Sequence, residues 1–497
     1  MERDEPAATA PAASGPMIDR VPGDSGAPRS VLMVLYFYPP LGGISMSRNV
    51  RNVQYLPRHG WIPTVLAPRH PAYHLQDPTS MQLIPPGTRV IRTRSVEAGH
   101  VRPAAVRLAT MAGDAVGRLG GREGRADAAT DAAATDAARA SSAPAPDAES
   151  SPRLVERLRR LVFFPDDQVG WLPFAVIAAV RAHRRTPFDA VYSTSSPITS
   201  HLVAGLVKRL TGVPWVAEFR DPWIGNALAA PLPWLHRRLQ VKLERWIVGS
   251  ADRVVGVSEG ITGLYRERYP AAPEMATITS GYDRGEARTR PPRAPGDGTF
   301  RIVYTGTLDR PVELGVFLEG LATFAARCPD QTGRLELHFY GSVSEACRAV
   351  VDRYAGTATG GALRFHGFVP RSEALDAVAN ADAALILLGS GPGMGMFIGG
   401  KLFDYIGQDQ QILAMLPRGD SRGILEELDW GVACDPDPGD VARALEELLA
   451  TPRANRPATA TRSYFPVGSA GRSGRGVASS SSSARATSPG SGSQATP

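Results

Sequence analysis

Cysteine is nearly absent from this chain. Three occur in 497 residues, Cys328, Cys347 and Cys434, and none forms a Cys-x-x-Cys pair, so neither a zinc ribbon nor a disulfide framework is supported. Lysine is as scarce: the 55 Lys and Arg residues include only Lys208, Lys242 and Lys401. Histidine occurs nine times. His338 and His366 fall inside apolar strands, which predicts core packing for both. No apolar run reaches the roughly 18–20 residues that span a bilayer, and the opening MERDEPAATA lacks a basic n-region followed by an apolar core. The expected location is the cytoplasm.

Negative charge is missing at one end only. From Thr451 onward there is no acid and no lysine, but six arginines occur: Arg453, Arg456, Arg462, Arg472, Arg475 and Arg485. They account for the whole formal charge of +6, so the rest of the chain sums to neutral. The basic character is then a tail property, from a solvated tail or one with a weak attraction to anionic lipid or polymer. It gives no support to a nucleic-acid groove, and no nucleic-acid partner is expected.

What remains is ordinary globular composition, 43% hydrophobic and 21% charged. Residues 1–28, 120–153 and 453–497 lack the aliphatic and aromatic content to pack and are expected to be disordered. The rest is enough for two domains, expected at 29–285 (interrupted by the insert 120–153) and 286–452.

Val31–Tyr36 is a continuous apolar run suited to a buried parallel strand. It stops at the Pro39-Pro40-Leu41-Gly42-Gly43 turn and is followed by Met46, Val50, Val53 and Leu56 at helical spacing, then by a second apolar strand, Pro63–Ala67. This is one crossover unit of a doubly wound sheet. Strands at Asp189–Ser193, Trp215–Phe219 and Arg253–Val257 continue it. A helix between the first two carries Leu202, Val203, Leu206, Val207 and Leu210 on one face, another lies around Leu239–Val248, and Ser258 caps a third. A second set has strands at Phe300–Tyr304, Leu335–Phe339, Leu363–His366, Ala383–Leu387 and Gln411–Ala414, with helices around Val316–Ala326, Ser372–Asn380 and Lys401–Gly407. Asp440 is expected to cap a last helix. The fold class is α/β: two tandem Rossmann-like domains facing across a cleft, joined near Ser280–Pro295.

Four strand-end loops are chemically pointed. Gly42 and Gly43 precede a helix N-terminus, a place for phosphate or sugar oxygens. Arg220, Asp221 and Trp223 form either a polar, aromatic lip for a sugar acceptor or an ion pair that holds the loop shut. Gly306 lets a ligand approach the backbone, and Arg310 offers a planar fork for phosphate oxygens or is simply solvated. The fourth loop, 389–400, contains Gly393, Gly395 and Gly400 and enters a helix at Lys401, with Asp404 one turn on. Its Gly395-x4-Gly400-Lys401 spacing falls short of a P-loop because Leu402 occupies the Ser/Thr position.

Taken together, Tyr38–Gly43, His59-Gly60-Trp61, Ser196-Pro197, Phe219–Trp223, Ala251-Asp252, Ser280–Asp283, Tyr304–Gly306 and Gly400–Tyr405 resemble the retaining glycosyltransferases of family GT4, of the bacterial surface-polysaccharide type. The resemblance implies the GT-B fold. It also implies a UDP- or GDP-sugar donor held by the second domain and a glycan or lipid-linked acceptor held by the first. Lys401, Arg310 and Asp404 would be catalytic, with no metal and no bound cofactor. Where the family commonly has an acid eight positions before Asp404, this chain has Met396. A non-catalytic nucleotide-sugar-binding protein and a nucleotide-sugar epimerase on the same scaffold are the alternatives. Arg153–Phe164 places apolar and basic residues at helical spacing, suiting either a helix packed on the first domain or one at the inner face of the plasma membrane.

Overall fold

The computed structural model describes residues 27–42, 44–73, 76–97, 99, 163–226, 234–288, 298–389 and 391–450. The insert 120–153, the tail from 453, most of 1–28, all but the last two residues of the Arg153–Phe164 segment, and Gly43 lie outside them.

Two parallel sheets follow one another along the chain. The first is seven-stranded, in the order β3-β2-β1-β4-β5-β6-β7. Its strands are β1 (Arg29–Val34), β2 (Trp61–Pro68), β3 (Arg89–Thr93), β4 (Ala190–Ser195), β5 (Trp215–Phe219), β6 (Arg253–Gly256) and β7 (Met275–Thr277). The second is six-stranded, in the order β10-β9-β8-β11-β12-β13. It comprises β8 (Phe300–Thr305), β9 (Leu335–Tyr340), β10 (Leu363–Gly367), β11 (Ala383–Leu387), β12 (Ile412–Met415) and β13 (Gly431–Cys434). Both are sheets of parallel neighbours, which need a helical crossover between strands and so bury both faces.

Strand alternation divides the first half's core in two. Leu32, Val34 and Tyr36 face one way, under α2 (Leu172–Arg185), α3 (Thr199–Thr211) and α4 (Trp234–Ser250). Val31, Met33 and Leu35 face the other way, under α1 (Ile44–Tyr55). A further helix, α5 (Glu259–Arg268), starts behind Ser258, whose hydroxyl accepts the Ile261 N–H at 3.2 Å, as its position predicts. In the second half, α6 (Pro311–Arg327), α7 (Glu345–Asp352) and α11 (Pro438–Ala450) cover one face. There Leu314, Phe317, Leu321 and Leu445 are wholly buried. On the other face lie α8 (Arg371–Asn380), α9 (Gly400–Gly407) and α10 (Asp420–Glu427).

Four local expectations fail for identifiable reasons. Leu210 is 63% exposed: the core stripe of α3 ends at Val207, one turn earlier. His338 and His366 are not core residues. His366 is exposed on the edge strand β10, and the two rings stack at 5.1 Å on the outer part of the sheet, with Tyr340 4.2 Å from His366. The cap of α11 is Asp437, whose carboxylate accepts the N–H groups of Gly439 and Asp440. Strands β3, β7 and β13 complete the sheets at their edges, where alternating or very short apolar patterns carry little signal.

Candidate active site

The second sheet builds the most organised polar corner. Strand β8 ends at Thr305, and Gly306 follows with φ +101°, a left-handed conformation that a side chain disfavours. Its N–H donates to the Tyr340 carbonyl at 2.7 Å. Gly341, with φ +144°, donates in turn to the Gly367 carbonyl at 2.7 Å. A Cβ on Gly341 would stand 2.2 Å from the Gly306 carbonyl oxygen, so the backbones meet only because residue 341 is glycine. The result is a strand-end floor without side chains.

Lys401 lies over that floor. Its Nζ is 3.7 Å from the centroid of the Tyr304 ring, a cation–π contact. A Cβ on Gly306 would come within 2.9 Å of its Cε. Tyr405, one turn further on α9, accepts the Thr305 N–H through its hydroxyl at 3.1 Å. Residues at i and i+4 share a helix face, so Tyr405 docks α9 on β8 and thereby aims Lys401. Desolvation lowers the Lys401 amine to about 7, and the nearby Arg310 charge pushes the same way; Asp309 and Asp404 oppose it. Arg310 precedes α6 and pairs with Glu313 at 3.6 Å. The Glu313 carboxylate occupies the space where Gly389 would carry a side chain. Lys401, Arg310, Gly306 and Asp404 are therefore brought together, an amine and a guanidinium beside bare backbone. Such a corner can hold a multiply charged anion.

Asp404 has an additional task. Its two oxygens accept both terminal nitrogens of Arg371, at 2.8 and 3.0 Å. Arg371 also reaches Glu286 at 3.1 Å, and Glu286 pairs with Arg51 of α1 at 2.9 Å. Arg51 closes the square 3.8 Å from Asp404. Three α1 side chains grip the connection between the sheets. Arg48 donates to the Ile278 and Thr279 carbonyls, Arg51 to the Gly281 carbonyl and Tyr55 to Asp283. Arg48 is anchored in turn on the buried Glu218 at 2.7 Å. Burial pushes the Glu218 carboxyl up, but Arg48, aided by Arg220 and Tyr192, more than offsets this and leaves it below its ordinary range.

Loop 389–400 is a folded turn more than an open cradle. The N–H groups of Met394, Met396 and Phe397 bond within it, to Gly391, Gly393 and Met394. Gly393 has the left-handed φ that starts the turn, Gly395 packs against the Arg418 carbonyl, and Gly400 opens α9. The two halves touch here. The Ser258 hydroxyl donates to the Met396 carbonyl at 2.6 Å, and the Gly260 N–H donates to Asp420 at 2.9 Å. The Met396 side chain packs on the core of the first sheet. That contact gives a physical reason for an apolar residue at this position.

In the first half, Gly42 is buried beside Leu41, which bridges to Gln76. Arg220 sits among Glu218, Arg48 and Asp221, and burial lowers its guanidinium. Burial raises the Asp221 carboxyl, which Arg220 partly pulls back. Trp223 packs against the core, tilted 6.5 Å from Phe164. Its loop is braced by a residue that spacing alone did not single out, the buried Glu244. Glu244 accepts from the Ile224 N–H, the Tyr265 and Tyr269 hydroxyls and Arg268. Among the described residues, no group of three or more His, Cys, Asp or Glu side chains is arranged to hold a metal ion.

Two Rossmann-like sheets in tandem, with strand-end loops turned to one another through Ser258 and Met396, define the GT-B fold. Residues 123–281 match the model of the glycosyl transferase 4-like domain. No curated protein matches the chain by sequence. Among solved structures, the chain is similar to sucrose-phosphate synthase from Thermosynechococcus elongatus (15% identity, TM-score 0.52, covering 85% of this chain and 90% of that one). It is also similar to the Anabaena protein HepE in complex with UDP (12%, 0.51, 85% and 90%) and to the N-terminal domain of trehalose-6-phosphate phosphatase from Candida albicans (12%, 0.55, 88% and 92%). At such identities these likenesses show the fold alone.

Proposed function

We infer that the chain is a glycosyltransferase that moves a sugar from a nucleoside diphosphate sugar to an acceptor bound by the first half. The observation that carries this reading is Lys401, poised over Gly306 beside Arg310 in a GT-B fold. The leaving group is a nucleoside diphosphate whose charge grows as the anomeric C–O bond breaks. Cations fixed beside its oxygens stabilise that late charge more than the ground state. With Lys401 and Arg310 supplying the positive charge, the reaction runs without a metal. Transfer proceeds with retention, as the GT4 resemblance implies: the acceptor hydroxyl attacks the face the phosphate leaves, and the departing phosphate takes its proton. Gly42 and Gly43 would lie toward the donor, and Arg220, Asp221 and Trp223 toward the acceptor. The acceptor class is a glycan or lipid-linked glycan of surface polysaccharide synthesis. UDP is the first diphosphate to try, since HepE of the same fold is described with UDP.

Calorimetry against UDP, GDP and their sugars tests the donor site. Binding of one pair, weakened at least about tenfold in Lys401→Ala, supports the reading; no binding by any of them refutes it. Met396 specifically favours a second reading, a binding protein without turnover. Donor binding that is never accompanied by transfer to a panel of glycan and lipid-linked acceptors would select it. Isomerisation of the bound sugar without an acceptor would select the epimerase alternative.

A further inference from the structure

The neutral sum of the chain before its basic tail conceals a segregated surface. Helices α2, α3 and α4, side by side on one face of the first sheet, contain nine Lys and Arg residues and a single acid. That acid is Glu244, which is wholly buried. Among the described residues, only Lys208 of these is neutralised at the surface, by Asp252 at 2.6 Å. The first half of α4 adds exposed apolar side chains. Trp234 is 69% exposed, Leu235 and Leu239 are exposed beside it, and Phe174 and Ile177 are exposed on α2. Arg237, Arg238, Lys242 and Arg245 are interleaved with them and exposed, and none forms an ion pair with another described residue. The Arg238 guanidinium lies 5.1 Å from the Trp234 ring. On its inner side α4 holds His236 5.8 Å from Phe164, near where the described chain resumes at residue 163.

An indole and leucines held in water, interleaved with cations that form no ion pair among the described residues, are poorly explained by solubility. The combination suits a boundary where apolar groups enter acyl chains, cations meet lipid phosphates, and tryptophan sits at headgroup level. A nucleic acid would use the arginines but leave Leu235 and Leu239 without a role. We propose that α4 docks on a membrane surface rich in anionic phospholipid. The contact is peripheral: no helix among the described residues is long and apolar enough to cross a bilayer. It is independent of the donor site, so Lys401→Ala protein should bind vesicles as the wild type does.

The test is flotation of the full chain with phosphatidylcholine vesicles, with and without about 30 mol% phosphatidylglycerol. The wild type is expected to float only with the anionic vesicles. Arg237→Gln with Arg238→Gln should lower the partition coefficient about tenfold or more, and Trp234→Ala with Leu239→Ala by a similar factor. Both variants replace exposed side chains, so unchanged thermal unfolding shows that they fold. Wild-type protein that stays at the bottom overturns the proposal. So do variants that float like the wild type, which would assign the binding to the arginine tail or to residues before Phe163. Tighter binding to an RNA duplex than to the vesicles, retained in Trp234→Ala with Leu239→Ala, also overturns it.

Discussion

Lys401 should take up a proton when the donor binds. Desolvation holds its amine at about 7 in the free protein, so above neutrality it is mostly uncharged. A diphosphate oxygen about 4 Å from Nζ contributes about 4 kcal/mol at an effective dielectric of about 20. That is about three pKa units, enough to keep the bound amine charged up to about pH 10. Binding at about pH 8 then draws about 0.9 proton from solution, and at about pH 6 about 0.1. Affinity should fall about tenfold between the two. The ligand should be a nucleotide sugar, because the terminal phosphate of a free nucleoside diphosphate itself titrates near neutrality. Calorimetry in two buffers of different ionisation enthalpy reads the uptake directly. Lys401→Arg, permanently charged, should bind with no uptake and a flat profile. Equal uptake by wild type and Lys401→Arg, or none at either pH, refutes the reasoning.

Three further perturbations follow from the same geometry. Arg48→Met strands the buried Glu218 charge and should cost about 3–5 kcal/mol in a denaturant titration; adding Glu218→Leu should restore most of the loss. Burial raises Asp166 to about 6 against the hydrogen bonds from Thr199 and Gln168. Between its unfolded value and 6 the native state therefore holds a proton that the unfolded chain has released, and stability falls as pH rises through that window. Asp166→Asn should flatten the fall in urea midpoints. Met396→Glu places a carboxylate against the core of the first sheet. It should lower stability by about 2 kcal/mol and loosen the seam between the halves, read as an increased radius of gyration in solution scattering.

Much of the fold was legible because buried parallel strands read as continuous apolar runs, as Val31–Tyr36 and Ala383–Leu387 do. Edge strands did not read so well: β3 is half-exposed, and β10 exposes all but Leu363, so an apolar-looking strand puts His366 in the core when it is exposed, and His338 stacks on it from the neighbouring β9. At the candidate site, the residues that follow strands were recognisable: Gly306, Arg310, Lys401 and Asp404 do converge. Their partners were not. Gly341 matters only because it abuts Gly306, and Arg371 only because it holds Asp404. Arg48 and Glu244 are buried ions whose partners lie far along the chain. Spacing cannot reveal contacts of that range. The glycines of 389–400 suggested open donors, whereas three of that loop's amides close its own turn. Net charge also misled, since a total near zero says nothing about how charges are distributed over faces.

The scarcity of lysine gives the desolvation of Lys401 a practical consequence. An amine that is largely deprotonated near neutral pH is a far better nucleophile than an ordinary lysine. Lys208 is engaged with Asp252, leaving Lys242 as the one other internal amine outside an ion pair. A dilute acylating reagent at about pH 7.5 should therefore mark Lys401 first. Mass spectrometry of the labelled chain, with and without a candidate ligand, would turn that residue into a built-in footprint of occupancy, readable before any acceptor is known.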